Sequence, residues 1–335
     1  MTAVPSDCAR SLQGPLLAAV SRSFYLSLRF LPPPVRAPLS VSYLLARAAD
    51  TIADVAALPA AERLGLLAEF RAVLAGGAVE PLAARAAAFA AAVDHPGERE
   101  LLERLAECFA QLRPLTPGSQ SQVREVLGHI LDGMELDLQR FPDTAPLRCL
   151  GTEAELAQYT WQVAGCVGEF WTAICAAELP GVFTRPVAEM AAWGKSYGQA
   201  LQLINILRDQ AGDAAIGRCY LPETALREAG LAGAVVWPAR DWAPWHQVRG
   251  TLLGQARLGL AAGWRYAAAQ RSIRLRFATL MPLLIGGATL DQLEALPEDG
   301  PPRACKIARP LVKKLGRRAL WMALSGRIAA PPASP

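Results

Sequence analysis

Two aspartate pairs share one spacing, Asp50-Thr-Ile-Ala-Asp54 and Asp209-Gln-Ala-Gly-Asp213. Residues four apart in a helix project from one face, so each pair sets two carboxylates side by side. Unaccompanied, they repel. Mg²⁺ takes one or two carboxylates and fills its remaining positions with water and phosphate oxygens. The pairs therefore predict a site that binds a diphosphate ester and helps it to ionise. A single such pair is an ordinary solvated helix surface, so the neighbouring residues decide.

Around the second pair, Gln202, Asn205, Asp209 and Asp213 recur at three- and four-residue steps within Gln199-Ala-Leu-Gln-Leu-Ile-Asn-Ile-Leu-Arg-Asp209. A polar stripe on a segment otherwise rich in Leu, Ile and Ala reverses the ordinary amphipathic helix, and carboxylates in such a setting need metals or bases as partners. Downstream, Gly217 is placed to end the helix and Arg218 to meet a phosphate bidentately. A plain cap followed by a surface charge is the alternative. Around the first pair, Tyr43, Arg47, Asp50 and Asp54 fall on one stripe, after Ser21-Arg22-Ser23-Phe24-Tyr25. Arg47 and Asp50 make either a surface ion pair worth a few tenths of a kcal/mol or, beside a metal-bound diphosphate, a guanidinium for phosphate oxygens.

The ordered stretches SRSFYLSLRFLP, YLLARAADTIAD, GMELDLQRF, YTWQVAGCVGEFW and YGQALQLINILRDQAGDAAIGRCYLP resemble the squalene and phytoene synthase family, the head-to-head prenyl diphosphate synthases, with a looser likeness at LRFATLMPLLIGGATL and CKIAR. The resemblance implies an all-helical isoprenoid-synthase fold around one central cavity, the two aspartate helices facing each other across its mouth. It implies Mg²⁺, three ions in the family's pattern, held by Asp50, Asp54, Asp209 and Asp213. Ser21, Arg22, Phe24, Gln202, Asn205, Arg208, Arg218 and Tyr220 become the diphosphate-binding positions, and Tyr43 and Arg47 catalytic ones. The implied chemistry is loss of pyrophosphate to give an allylic cation, capture by a second prenyl diphosphate as a cyclopropylcarbinyl diphosphate, and a second ionisation that rearranges it. Tyr159 matches the tyrosine that steadies the first cation and assists proton removal; a core-packing aromatic is the alternative reading. Tyr266 is a weaker candidate for the later cation. The sequence departs from the family where many members carry Glu before the second Asp of each pair; here Ala53 and Gly212 stand there, which leaves the ligands but puts metal affinity and substrate range in doubt.

Length and composition fit one large helical domain over residues 1–325, followed by a Pro/Ala-rich flexible tail at 326–335, since neither a composition break nor a Gly/Ser linker divides the 335 residues. Segments 62–75, 82–93 and 98–112 read as helices, and strand-like alternation is nearly absent. A net charge of +4, without Lys/Arg patches interleaved with aromatics, excludes nucleic acid as a partner. Seven cysteines without metal-ligand spacing read as reduced buried thiols of a cytoplasmic protein. No signal-peptide pattern and no span-length apolar run is found. Trp237, Trp242 and Trp245, with Lys313, Lys314, Arg317 and Arg318, are candidates for a peripheral contact with anionic lipid; tryptophans packed onto their own protein and a solvated basic helix end are the alternative. No obligate protein partner is implied.

The favoured expectation is condensation of two farnesyl diphosphates to squalene or a close C30 relative. Phytoene synthesis from geranylgeranyl diphosphate is the alternative, and a non-catalytic binding or assembly protein is the alternative from another class. Reduction to squalene requires NADPH, and Lys306 and Arg309 are the candidates for its 2′-phosphate.

Overall fold

The computed structural model describes residues 11–21, 24–141, 147–231, 242–298, 300–301, 303 and 305–328. The chain divides into two compact units, Met1–Gln139 with Ala173–Pro180, and Arg140–Thr172 with Gly181–Pro335.

In the first unit the long helix Pro33–Asp54 begins on two prolines, whose fixed φ suits the first helical turn. Leu39, Leu44, Leu45, Ala48 and Ile52 are buried along it, and it packs against Ala60–Leu74, Pro96–Glu103 and Leu105–Ala110. The Phe70 and Phe109 rings lie 4.8 Å apart within that packing. Arg71, on Ala60–Leu74, donates to Asp132 at 2.7 Å and Glu135 at 3.0 Å on Pro117–Arg140. The helix read from the sequence at 98–112 is interrupted at Arg104, where the backbone leaves helical values and the guanidinium is held by Glu100 and Glu107.

In the second unit Val187–Ala215 is the longest helix, packed by Ala243–Ala268 and Ile273–Glu294, with Arg309–Ser325 against the latter. Trp161–Gly165 is a π-turn between Glu153–Thr160 and Cys166–Glu178. A Cβ placed on Gly168 would lie 2.0 Å from the Gly194 carbonyl oxygen, and one on Gly194 2.7 Å from that of Gly168. The two backbones touch, and only glycine permits it. Strands β1 (Arg148–Leu150) and β2 (Arg218–Pro222) pair in parallel, with Arg148 opposite Arg218 and Cys149 opposite Cys219. The helices between them form the crossover that a parallel pair needs. These strands are too short to show a period in the sequence, which is why 217–222 reads there as no more than a helix end. Gly217 does end the helix, at φ +80°. Cys108, Cys149, Cys166, Cys175, Cys219 and Cys305 are buried and outside any disulfide.

Among the described residues one helix, Ile273–Glu294, is long and apolar enough to cross a membrane, which corrects the expectation that no apolar run reaches that length. Much of it is buried against its neighbours, as a core helix is: 61% of its most apolar window lies inside.

Replacing Gly168 with alanine is expected to destabilise the fold by about 2 kcal/mol or more, because the new methyl meets backbone that cannot yield. Gly254→Ala, facing open space on Ala243–Ala268, should instead stabilise by up to about 1 kcal/mol. Urea unfolding of both variants checks this, and equal stability of Gly168→Ala and the parent would refute the close contact.

Candidate functional site

The helix Pro33–Asp54 carries Tyr43, Arg47, Asp50 and Asp54 as the spacing predicts. Arg47 Nη1 donates to Asp50 Oδ2 at 2.6 Å, and Glu98 stands 4.0 Å from Arg47 Nε. Burial and the Asp54 charge push the Asp50 carboxyl up to about 6, against the pull of Arg47, although 42% of its side chain remains open. Asp50 is thus reachable by solvent yet poorly hydrated. Burial opposes the charge of Arg47, but Asp50, Tyr43 and Glu98 outweigh it and hold the guanidinium above its ordinary value. The Tyr43 hydroxyl donates to the Val20 carbonyl at 3.3 Å, and its ring stacks on Phe24 at 5.5 Å. Ser21 is buried, its hydroxyl donating to the Leu17 carbonyl of its own helix at 2.5 Å. Arg22 lies outside the described residues.

On Val187–Ala215 the second stripe repeats the arrangement. Arg208 grips Asp209 bidentately, Nε to Oδ1 at 2.8 Å and Nη2 to Oδ2 at 2.5 Å. The bond to Asp209 raises the Arg208 guanidinium despite its burial. Asn205 donates to Gln202 at 3.4 Å, one turn earlier. Past Gly217, β2 carries Arg218 and Tyr220 to a small concavity that Asp213, Gln210 and Trp245 also line. Tyr220 stacks on Tyr159 with ring centroids 4.9 Å apart, and Phe141 meets Tyr220 edge-on at 5.3 Å. Thr160 alone separates Tyr159 from the π-turn, and such turns recur at functional sites.

Tyr266 is buried with Met190 and Ala269, against Trp171, Phe183 and Trp193, and its hydroxyl shares a 2.9 Å hydrogen bond with Thr172. Lys306 and Arg309 are exposed, Arg309 opening the helix Arg309–Ser325. Trp245 is buried and meets Trp242 and His246 edge-on, so it packs onto its own protein and offers nothing to a lipid surface. Trp237 lies outside the described residues. Two residues near the stripes escaped the sequence reading. Glu98 is forty-eight positions from Asp50, and no spacing rule links them. Gln210 is buried with neither amide atom hydrogen-bonded, and its one sequence signal is adjacency to Asp209.

Among the described residues no three His, Cys, Asp or Glu side chains converge as metal ligands. A diphosphate-bound Mg²⁺ does not need three, since one or two carboxylates suffice when water and phosphate complete its shell. Asp50, its carboxyl raised by burial and by the charge of Asp54, is the kind of donor such an ion relieves. The donor set fits.

A model of the squalene/phytoene synthase family matches residues 17–315. The presqualene diphosphate synthase of Rhodopseudomonas palustris is 34% identical over 64% of this chain and 62% of its own length. That of Zymomonas mobilis is 33% identical over 68% and 63%, and the 15-cis-phytoene synthase of a Paracoccus species 30% identical over 63% and 59%. The chain spans less than two thirds of the length of these relatives. Among solved structures, TcSQS with the ligand E5700 superposes with a TM-score of 0.73 at 21% identity, covering 98% of this chain and 94% of that one. A dehydrosqualene synthase gives 0.61 at 17% identity over 95% and 100%. These likenesses establish the all-helical isoprenoid-synthase fold. With the family model covering most of its sequence, the chain belongs to the squalene/phytoene synthase family.

Proposed function

We propose that the chain is a Mg²⁺-dependent prenyltransferase that joins two farnesyl diphosphates head to head, through a cyclopropylcarbinyl diphosphate, to squalene or a related C30 product. The observation that carries this reading is the repeated arrangement in which each aspartate pair has its own arginine, Arg47 on Asp50 and Arg208 on Asp209. When held by Asp50 with Asp54 and by Asp209 with Asp213, Mg²⁺ supplies the positive charge against which a diphosphate departs. Arg47 and Arg208 then pass from carboxylate to diphosphate oxygens, for which the guanidinium fork is equally suited. Arg218, reached through the Gly217 turn, adds a further cation on the same strand as Tyr220. Tyr159, braced by Tyr220, offers its ring face to the allylic cation and its oxygen to the proton lost on ring closure. Leu203, Ile206 and Leu207 flank the polar stripe and keep water from quenching the cation. If the product is reduced to squalene, NADPH supplies the hydride, and Lys306 with Arg309 pair its 2′-phosphate.

The presqualene diphosphate synthases among the relatives favour the C30 reading. The Paracoccus enzyme favours a second, phytoene synthesis from two geranylgeranyl diphosphates.

Incubation of the protein and Mg²⁺ with each diphosphate, with and without NADPH, followed by mass spectrometry of organic and aqueous phases, separates these readings. A C30 product from farnesyl diphosphate supports the first. Phytoene supports the second, and no product under any condition favours a non-catalytic binding role. Asp50→Asn and Asp209→Asn are each expected to slow pyrophosphate release by about 10²-fold or more with helical content unchanged; normal turnover in either would sink the metal assignment. Tyr159→Phe keeps the stack on Tyr220 and removes the oxygen. It should slow formation of the cyclopropyl diphosphate by about 10²-fold while sparing its onward conversion when supplied directly. Equal loss in both steps would make Tyr159 a packing residue.

A further inference from the structure

The helix Arg309–Ser325 is apolar on both sides. Leu315, Ala319, Met322 and Ala323 are buried against the protein. The opposite side carries Leu320, Trp321 and Leu324, which are 43%, 56% and 62% exposed. One turn and two turns earlier the same outward side carries Lys313, Lys314, Arg317 and Arg318, all exposed. The helix holds five basic residues and no acidic one, whereas the whole chain is only +4. This one element therefore carries more positive charge than the whole chain does net, and the rest of the chain is close to neutral. Among the described residues no carboxylate pairs with any of these four cations.

We infer that the outward face of Arg309–Ser325 is a docking surface for an anionic lipid bilayer, with Leu320, Trp321 and Leu324 entering the headgroup boundary and Lys313, Lys314, Arg317 and Arg318 meeting lipid phosphates. Basic residues and Trp/Leu sharing one face are the chemistry of a helix lying in a membrane interface. A second copy is the wrong occupant, because an isologous contact would set five cations against five. A soluble partner would have to match an exposed indole and four cations within four turns, which a negatively charged bilayer does without special shape. This inference does not rest on the proposed reaction. It keeps the four cations that the sequence analysis named for a lipid contact, and replaces Trp245, which is buried, with Leu320, Trp321 and Leu324 as the apolar part.

The test is cosedimentation of the full chain with vesicles of phosphatidylcholine alone and of equal parts phosphatidylcholine and phosphatidylglycerol, at low and raised salt. Binding is expected with the anionic vesicles, at least about tenfold weaker with the neutral ones, and reduced by salt. Lys314→Gln and Arg318→Gln should each weaken it roughly fivefold. Trp321→Ser with Leu324→Ser should weaken it by about tenfold or more, while Leu258→Ser, removing a more exposed leucine on Ala243–Ala268, should not. Circular dichroism confirms that each variant is folded. Equal binding to both vesicle types, no binding to either, or indifference to both sets of variants overturns the inference. So does a change from oligomer to monomer in Trp321→Ser with Leu324→Ser, by sedimentation velocity, that leaves vesicle binding unaltered.

Discussion

Two carboxylates one helical turn apart form a repulsive arrangement that a folded chain keeps only at a cost. In this protein that repulsion is offset locally, since an arginine beside each first aspartate neutralises part of the charge. The offset is incomplete at Asp50, whose carboxyl still titrates near 6 because burial and Asp54 outweigh Arg47. Much of the surrounding structure serves to hold these groups in place. Pro33 and Pro34 fix where the first helix begins, and the packing of Leu44, Leu45 and Ile52 fixes its rotation, which keeps Arg47 and Asp50 on the open side. On the other helix the backbone contact of Gly168 with Gly194 seats the segment four turns before Asp209.

The second stripe adds a device that the first lacks. Gly217 turns the chain out of its helix with a left-handed residue, and the chain then pairs with β1, so that Arg218 and Tyr220 project from a strand rather than a loop. A strand holds its side chains more firmly than a free connection does. Tyr220 can thereby brace Tyr159 across a stack, and Phe141 closes the other side. The π-turn following Thr160 reorients the chain between Tyr159 and the glycine contact at Gly168, without ending the helical run.

The helical class and both aspartate stripes were legible because they rest on local periodicity. Steps of three and four residues survive folding unchanged, and Tyr43, Arg47, Asp50 and Asp54 occupy one helix as their spacing requires. Contacts set by tertiary structure were not legible. Glu98 approaches Arg47 from a different helix. β1 and β2 are seventy residues apart in the chain and too short to alternate visibly. Exposure is set in the same way: of the tryptophans weighed for a lipid contact, Trp245 is core. Trp321 sits in a helix whose inward face is equally apolar, and only packing shows which side is covered. Tyr266, named from its sequence context, has its hydroxyl engaged by Thr172 in an aromatic cluster.

The buried cysteines have a consequence for the motions of this chain. Burial raises the Cys175 thiol well above its ordinary range, and a thiol that is both covered and protonated reacts with an alkylating reagent only after the surrounding structure opens. Cys108 and Cys175 belong to the first unit, while Cys149, Cys166, Cys219 and Cys305 belong to the second. The chain thus carries a built-in set of clocks in each half, with Cys149 and Cys219 on the strand pair that holds Tyr220. Alkylation rates resolved peptide by peptide would time the breathing of the two halves separately, without the introduction of any foreign label.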